Sequence, residues 1–397
     1  MLALVHMKIN GKSNNVSLWT KDFMLISAAT VLTYMGYMVL MPTLPLFFSS
    51  LGMTEADIGL LIGVSSITAM LVRPFTGKYL DTMGRKIVFI IGLAILFFSS
   101  LIYDYLHLFA FLIGVRLLHG TGYGIATTVS ATIAADVMPS NKIEKGMIYF
   151  SYAATIAFAI APALGLHIIN RFNFNILFMA AAAFAFIAVM IALKINYHQD
   201  DHQSSSEKNP LYDKKALPSV LILFLILFSF SSVVVLLPLY AVQLGISNIG
   251  SFFVIYAVTI CLIRPFAAYL VERKGYDYVV IPSLLSYCLA SYYLAAAEDM
   301  FLLNLSAILF GIAVGNIAAT MKAHVMKDVP YNRRGVVSGM YYNAMDLGHG
   351  IGPFFWGLIL PFSGYQVMYR ISIIPGIIAI IVYLTVAEFL HKQNIED

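Results

Sequence analysis

The chain has 397 residues, of which 60% are hydrophobic and only 11% charged, with a net charge of +4; soluble domains run nearer half apolar and a quarter charged. The imbalance excludes a water-soluble globular protein, and the small positive excess is no nucleic-acid signal because it resides in basic loops. The apolar residues recur in blocks of about twenty, long enough to cross a bilayer core of roughly 30 Å at 1.5 Å per residue, and the roughly ten-residue alternation of a membrane β-barrel is absent.

In chain order, residues 1–21 read as a segment outside the membrane. Met1–His6 is apolar but too short for a cleavable signal peptide, and polar Asn10–Asn15 follows it, so translation starts at Met1 or at Met7. Six spans are predicted near 23–48, 57–79, 87–106, 108–136, 145–168 and 174–194, within a first bundle of residues 22–194. Residues 195–217 are polar, cannot bury a core and read as a solvated linker. Six more spans are predicted near 218–241, 248–271, 278–296, 300–327, 335–360 and 366–390, in a second bundle of residues 218–397. Cys261 and Cys288 fall inside apolar blocks, which predicts small buried hydrophobes and no disulfide.

Of the 24 Lys and Arg, eighteen lie in the N-terminal segment, the even-numbered loops, the linker and the C-terminal tail. The others are Arg171 and Arg370 on the opposite side and Arg73, Arg116, Arg264 and Lys322 within or at the ends of spans. The positive-inside rule then places both termini and the linker in the cytoplasm of a multi-pass cell-membrane protein.

The two bundles repeat each other. Leu71-Val-Arg73-Pro74-Phe75 matches Leu262-Ile-Arg264-Pro265-Phe266 at an offset of 191, which also carries Gly84 onto Gly275, Pro139 onto Pro330, Pro162 onto Pro353 and Asp81 onto Glu272. The loop after span 2 reads Gly77-Lys-Tyr-Leu-Asp81-Thr-Met-Gly84-Arg85-Lys86. Gly77 permits close helix approach and Gly84 a tight turn, and Asp81 can cap a helix start or pair with a base.

With two parallel six-helix halves, this loop resembles the signature of the major facilitator superfamily, Gly-x-x-x-Asp-x-x-Gly-Arg-Lys/Arg. The resemblance covers nearly the whole chain and implies an all-α, twelve-helix integral membrane bundle of two pseudo-symmetric halves, working by alternating access around a site between them. It implies that the loop clamps span 2 against span 11 on the cytoplasmic side when the site faces outward, with Asp136 joining the charge cluster. A second motif, Arg116-Leu-Leu-His119-Gly120-Thr-Gly122-Tyr-Gly124, is similar to one whose arginine the family links to proton transfer; the residues alone allow instead a structural arginine on backbone carbonyls. Ala161-Pro162-Ala-Leu-Gly165 partly matches the glycine-rich span-5 motif of the drug/proton antiporter type, and Gly348-His349-Gly350-Ile-Gly352-Pro353 is a fuller form in span 11. That likeness implies export.

Arg73 and Arg264 are repeat-related, and either clamp an anionic solute from both halves or pack near the cytoplasmic ends of their spans. Asp346 is the carboxylate placed deep in the membrane. It is the candidate carrier of a coupling proton, assisted by His349 or by Arg116 with His119, or else a static partner for a buried donor. Tyr34, Tyr37, Tyr256, Tyr341 and Asn343 are candidate cavity residues, although tyrosines also belt interfaces or pack helices. No nucleotide-binding loop and no metal-ligand spacing occurs. The expectation is therefore a non-enzymatic, monomeric secondary transporter with no cofactor beyond a coupling proton, partnered by a small-molecule substrate and the bilayer and by no nucleic acid. It exports a polar or amphipathic solute, leaning to a carboxylate-bearing metallophore or metabolite. A multidrug efflux pump, a nutrient importer and a non-transporting receptor or scaffold are the alternatives.

Overall fold

The computed structural model describes residues 17–105, 108–139, 142–196, 213–246, 248–327, 329 and 334–396. They form thirteen helices: α1 (Lys21–Met38), α2 (Leu44–Ser50), α3 (Glu55–Met83), α4 (Arg85–Ile102), α5 (Phe109–Asp136), α6 (Ile143–Arg171), α7 (Phe174–Leu193), α8 (Leu217–Gln243), α9 (Gly250–Lys274), α10 (Asp277–Ala295), α11 (Met300–Lys327), α12 (Arg334–Ile371) and α13 (Ile373–Glu396). They make twelve spans. The first, expected to be continuous, is broken into α1 and α2 around Pro42, with Pro45 in the first turn of α2, where its missing N–H costs nothing. The last two meet inside α12 at Gly364, whose φ of 70° ends one helix and starts the next. Most of the linker lies outside the described residues. Neither cysteine is deeply buried, correcting the expectation: Cys261 is exposed and Cys288 half-buried.

Hydrophobicity does not drive helix pairing inside a bilayer, so close packing and hydrogen bonds decide which helices meet. The seam between α3 of the first half and α12 of the second shows this. A Cβ added at Gly59 or Gly63 would collide with the carbonyls of Pro353 or Gly350, and one at Gly357 with that of Glu55. In the seam related by the repeat, α6 against α9, a Cβ added at Gly250 would lie 3.9 Å from Leu166, where the first seam sets Gly357 against Gly59. One seam is lined by small residues and the other is spaced by a large one.

Both contacts lie at the end of the bundle away from the chain termini. Toward the other end α3 and α12 share an ion pair, and beyond it Asn343 is exposed and a Cβ at Gly339 would meet nothing within 4 Å. The α3–α12 seam is thus closely packed at one end and open around Gly339 and Asn343 toward the other. A cavity of about 460 Å³ lies over the closed end, lined by Ser49, Glu55, Gln243 and Tyr365 among others.

The repeat survives in backbone detail. Gly84 and Gly275 end α3 and α9 with φ of 84° and 94°, a region open to glycine at little cost. Pro74 and Pro265 lie inside the same two helices, Pro162 and Pro353 inside α6 and α12.

Candidate functional site

The polar groups between the halves centre on Arg73 and Asp346. Arg73 Nε donates to Asp346 Oδ2 at 2.7 Å and Nη2 to Oδ1 at 3.4 Å, while Nη1 donates to Thr128 Oγ1 at 3.2 Å. The pair ties α3 to α12 across the two halves, and its side chains retain 18% and 14% of their exposure. Two parallel N–H···O contacts fix the guanidinium plane against the carboxylate. Asp346 thus has a partner in the opposite half, and that partner is Arg73, not Arg116.

Arg116 is fully buried inside the first half. Its Nε donates to the Leu61 carbonyl at 2.7 Å and its Nη2 to that of Ile62 at 3.1 Å and to Ser65 Oγ; Nη1 reaches Tyr103 Oη at 3.3 Å. His119 accompanies it, with Nδ1 3.4 Å from Arg116 and 3.2 Å from Tyr103 Oη. The close approach of α5 to α3 that allows this depends on Gly120 and Gly124, where a Cβ would meet the backbone of Ser65 and Ala69. Arg116 fastens α5 to α3 and His119 joins it to Tyr103, and neither is hydrogen-bonded to Asp346.

An aromatic series joins that cluster to the interface. Tyr37 lies 5.2 Å from the His119 ring and stacks on Tyr123 at 3.9 Å; Tyr123 meets Tyr34 edge-on at 5.8 Å; Tyr34 lies 6.4 Å from Phe158; and Phe158 lies 6.2 Å from His349 in the second half. Tyr34 and Tyr123 are within electrostatic reach of both Arg73 and Asp346. His349 Nδ1 sits 2.9 Å from the Met345 carbonyl in its own helix.

In the second half, Arg264 Nη1 donates to Thr155 Oγ1 of α6 at 2.7 Å. Tyr256 is buried against Phe230, and Tyr341 Oη donates to the Ala318 carbonyl at 2.8 Å. Lys322 Nζ donates to Tyr342 Oη at 3.1 Å and lies 5.6 Å from the Tyr341 ring and 5.0 Å from that of Tyr342.

The remaining expected residues lie apart from these clusters. Arg85 pairs with Asp136, and Lys86 Nζ donates to the carbonyls of Leu193 and Ile195 at 2.8 Å each, tying the start of α4 to the end of α7. Side chains at Gly77 and Asp81 lie outside the described ones. Gly165 faces Val39 and Thr43 within the first half, so its small size serves the turn between α1 and α2 rather than the contact between halves. Tyr123, Thr128, Thr155 and Phe158 were missed by residue type alone. The offset of 191 identifies Thr155, which takes the position of Asp346 in the repeat.

The family model described as the Major Facilitator Superfamily matches residues 26–275 and 220–396, together nearly the whole chain. The chain belongs to that superfamily. It is 23% identical over 388 residues to the staphylopine export protein of Staphylococcus aureus, covering 94% of this chain and 96% of that protein. It is 30% identical over 134 residues to the quinolone resistance protein NorA of the same organism, covering 34% of each. The crystal structure of the nucleoside transporter NupG superposes with a TM-score of 0.70 at 17% identity, covering 93% of this chain and 99% of that one. The chain is therefore a multi-pass membrane transporter of the major facilitator fold and no enzyme.

Proposed function

We propose that this superfamily member exports a small, polar, carboxylate-bearing solute from the cytoplasm in exchange for protons. The observation that carries the reading is the Arg73–Asp346 pair, a carboxylate and its counter-ion set on opposite halves of the bundle. Ionised Asp346 holds the pair closed. Protonation removes the attraction, frees Arg73 and loosens α3 from α12, so that a proton and a change of access are linked through one bond. Tyr34 and Tyr123 lie within electrostatic reach of both members of the pair, and His349 within reach of Asp346.

The positive-inside pattern supports a cytoplasmic position for the end that carries the termini, where an exporter loads its solute. Near full-length similarity to a protein named for staphylopine export supports that direction. The local similarity to NorA favours drug efflux as a second reading, but Arg264 and Lys322, which have no carboxylate ion-pair partner among the described residues, favour an anionic solute.

The test uses everted membrane vesicles from cells with and without the gene, energised to an acid interior and given a cytoplasmic extract. Gene-dependent accumulation of an anionic solute that nigericin abolishes is expected. Accumulation indifferent to nigericin would contradict the coupling.

A further inference from the structure

We propose that Arg264 and Lys322, with Tyr342, form a two-cation binding site on the second half alone, and that the transported solute bears at least two acidic groups. The inference rests on the transport reading above and specifies what is transported.

The argument begins with the broken symmetry of the arginines. Arg73 faces Asp346, and its charge is answered. The same offset of 191 that relates Arg73 to Arg264 relates Asp346 to Thr155. Arg264 accordingly reaches across to the opposite half just as Arg73 does, but meets a hydroxyl. Thr155 can accept a hydrogen bond and cannot neutralise a guanidinium. Arg264 Nε is buried without a hydrogen-bond partner, and among the described residues no carboxylate forms an ion pair with Arg264.

Lys322 repeats the situation on the neighbouring helix α11. Its ammonium is held by the Tyr342 hydroxyl and by the ring faces of Tyr341 and Tyr342, with no carboxylate partner among the described residues. Aromatic faces orient a cation and leave its charge in place. Tyr341 is within electrostatic reach of Arg264 as well, and Tyr342 of Tyr34 in the opposite half, so the two cations share one wall of the space between the halves. Tyr342 accepts from Lys322, which leaves its own O–H to donate outward; no described residue accepts it. Among the described residues, three cations, Arg73, Arg264 and Lys322, and one carboxylate, Asp346, stand around this space. Two positive charges at membrane depth are costly unless paired or hydrated. An acidic solute entering from the end that carries the termini supplies the pairing, with Arg264 offering a planar fork and Lys322 a point charge.

The experiment measures binding by calorimetry to the full chain in lipid nanodiscs without any pH gradient, using succinate, citrate and ethylenediaminetetraacetate, each beside its neutral amide counterpart. At least one polycarboxylate is expected to bind while its amide does not. Its affinity should fall at least tenfold in Arg264→Gln and in Lys322→Gln, and Arg264→Lys should recover most of the loss. Unliganded melting temperatures identify any variant that fails to fold, and the conservative Arg264→Lys then carries the comparison. Absence of binding by every polycarboxylate, equal binding of the amides, or affinity indifferent to both substitutions overturns the site. Binding that depends on both cations without pH-driven flux in vesicles keeps the site and removes the proton-coupled reading. Proton-driven flux with binding indifferent to both substitutions does the reverse.

Discussion

Arg73 and Asp346 form a bidentate ion pair that joins the first half of the bundle to the second, 2.7 Å from Nε to Oδ2. Its counterpart under the internal repeat joins Arg264 to Thr155 at 2.7 Å. One duplicated geometry thus carries two chemistries, one bond that a proton can break and one cation left for a solute.

Asp346→Asn keeps the shape of the pair and removes its charge and its proton. Gradient-driven transport in energised vesicles should fall at least tenfold, while exchange of solute for solute, which needs no net proton movement, should persist. A variant that kept full dependence on the pH gradient would exclude Asp346 as the proton carrier.

Thr155→Asp would restore the symmetry that the sequence lacks. A carboxylate at this position answers Arg264 and should weaken polycarboxylate binding at least tenfold, with little change in melting temperature because both partners are already in contact. Unchanged binding would show that Arg264 is not the vacant cation.

Arg116 should matter to stability. Its guanidinium satisfies two carbonyls of α3 together with Ser65 and Tyr103, and a lysine cannot reproduce that fork. Arg116→Lys should cost about 1–3 kcal/mol, the usual penalty for leaving buried polar groups short of partners, read as a lower melting temperature. Transport per folded molecule should keep its pH dependence.

The closed seam is testable at Gly63. A methyl group there meets the Gly350 carbonyl, so Gly63→Ala should loosen the end of the bundle away from the termini. In a chain with Cys261 and Cys288 replaced by serine, a cysteine substituted for Ser49 reports on that end. Its labelling by an impermeant maleimide should rise at least threefold. Equal labelling would mean that α3 and α12 do not govern access there.

The Arg85–Asp136 pair is partly exposed, at 20% and 30%. A charge-reversal cycle, Arg85→Asp with Asp136→Arg, should recover only about 0.2–1 kcal/mol of coupling, the range for solvated pairs.

The architecture was legible because membrane spans declare themselves by length and apolarity, and the duplication by recurrence of Arg-Pro-Phe and of the turn glycines. Asp346 stood out as a carboxylate inside an apolar block. Its partner did not, because Arg73 and Arg116 are equally placed by sequence and only the packing of α5 on α3 commits Arg116 to carbonyls. Lys322 read as an end-of-helix charge because its tyrosine partners approach in space from α12. The break in the first span and the fusion at Gly364 escaped for a related reason: a hydropathy block registers that residues are apolar and is silent on where the helix bends.

The most direct measurement compares small molecules in cytoplasm and spent medium from cells carrying the wild-type gene, a deletion or Asp346→Asn, in metal-poor and metal-rich medium. The account predicts one polyacidic solute that accumulates inside and disappears from the medium in both the deletion and the Asp346→Asn strain. If no endogenous solute moves while tolerance to hydrophobic cations falls, the protein is a drug efflux pump and export of an acidic solute is contradicted.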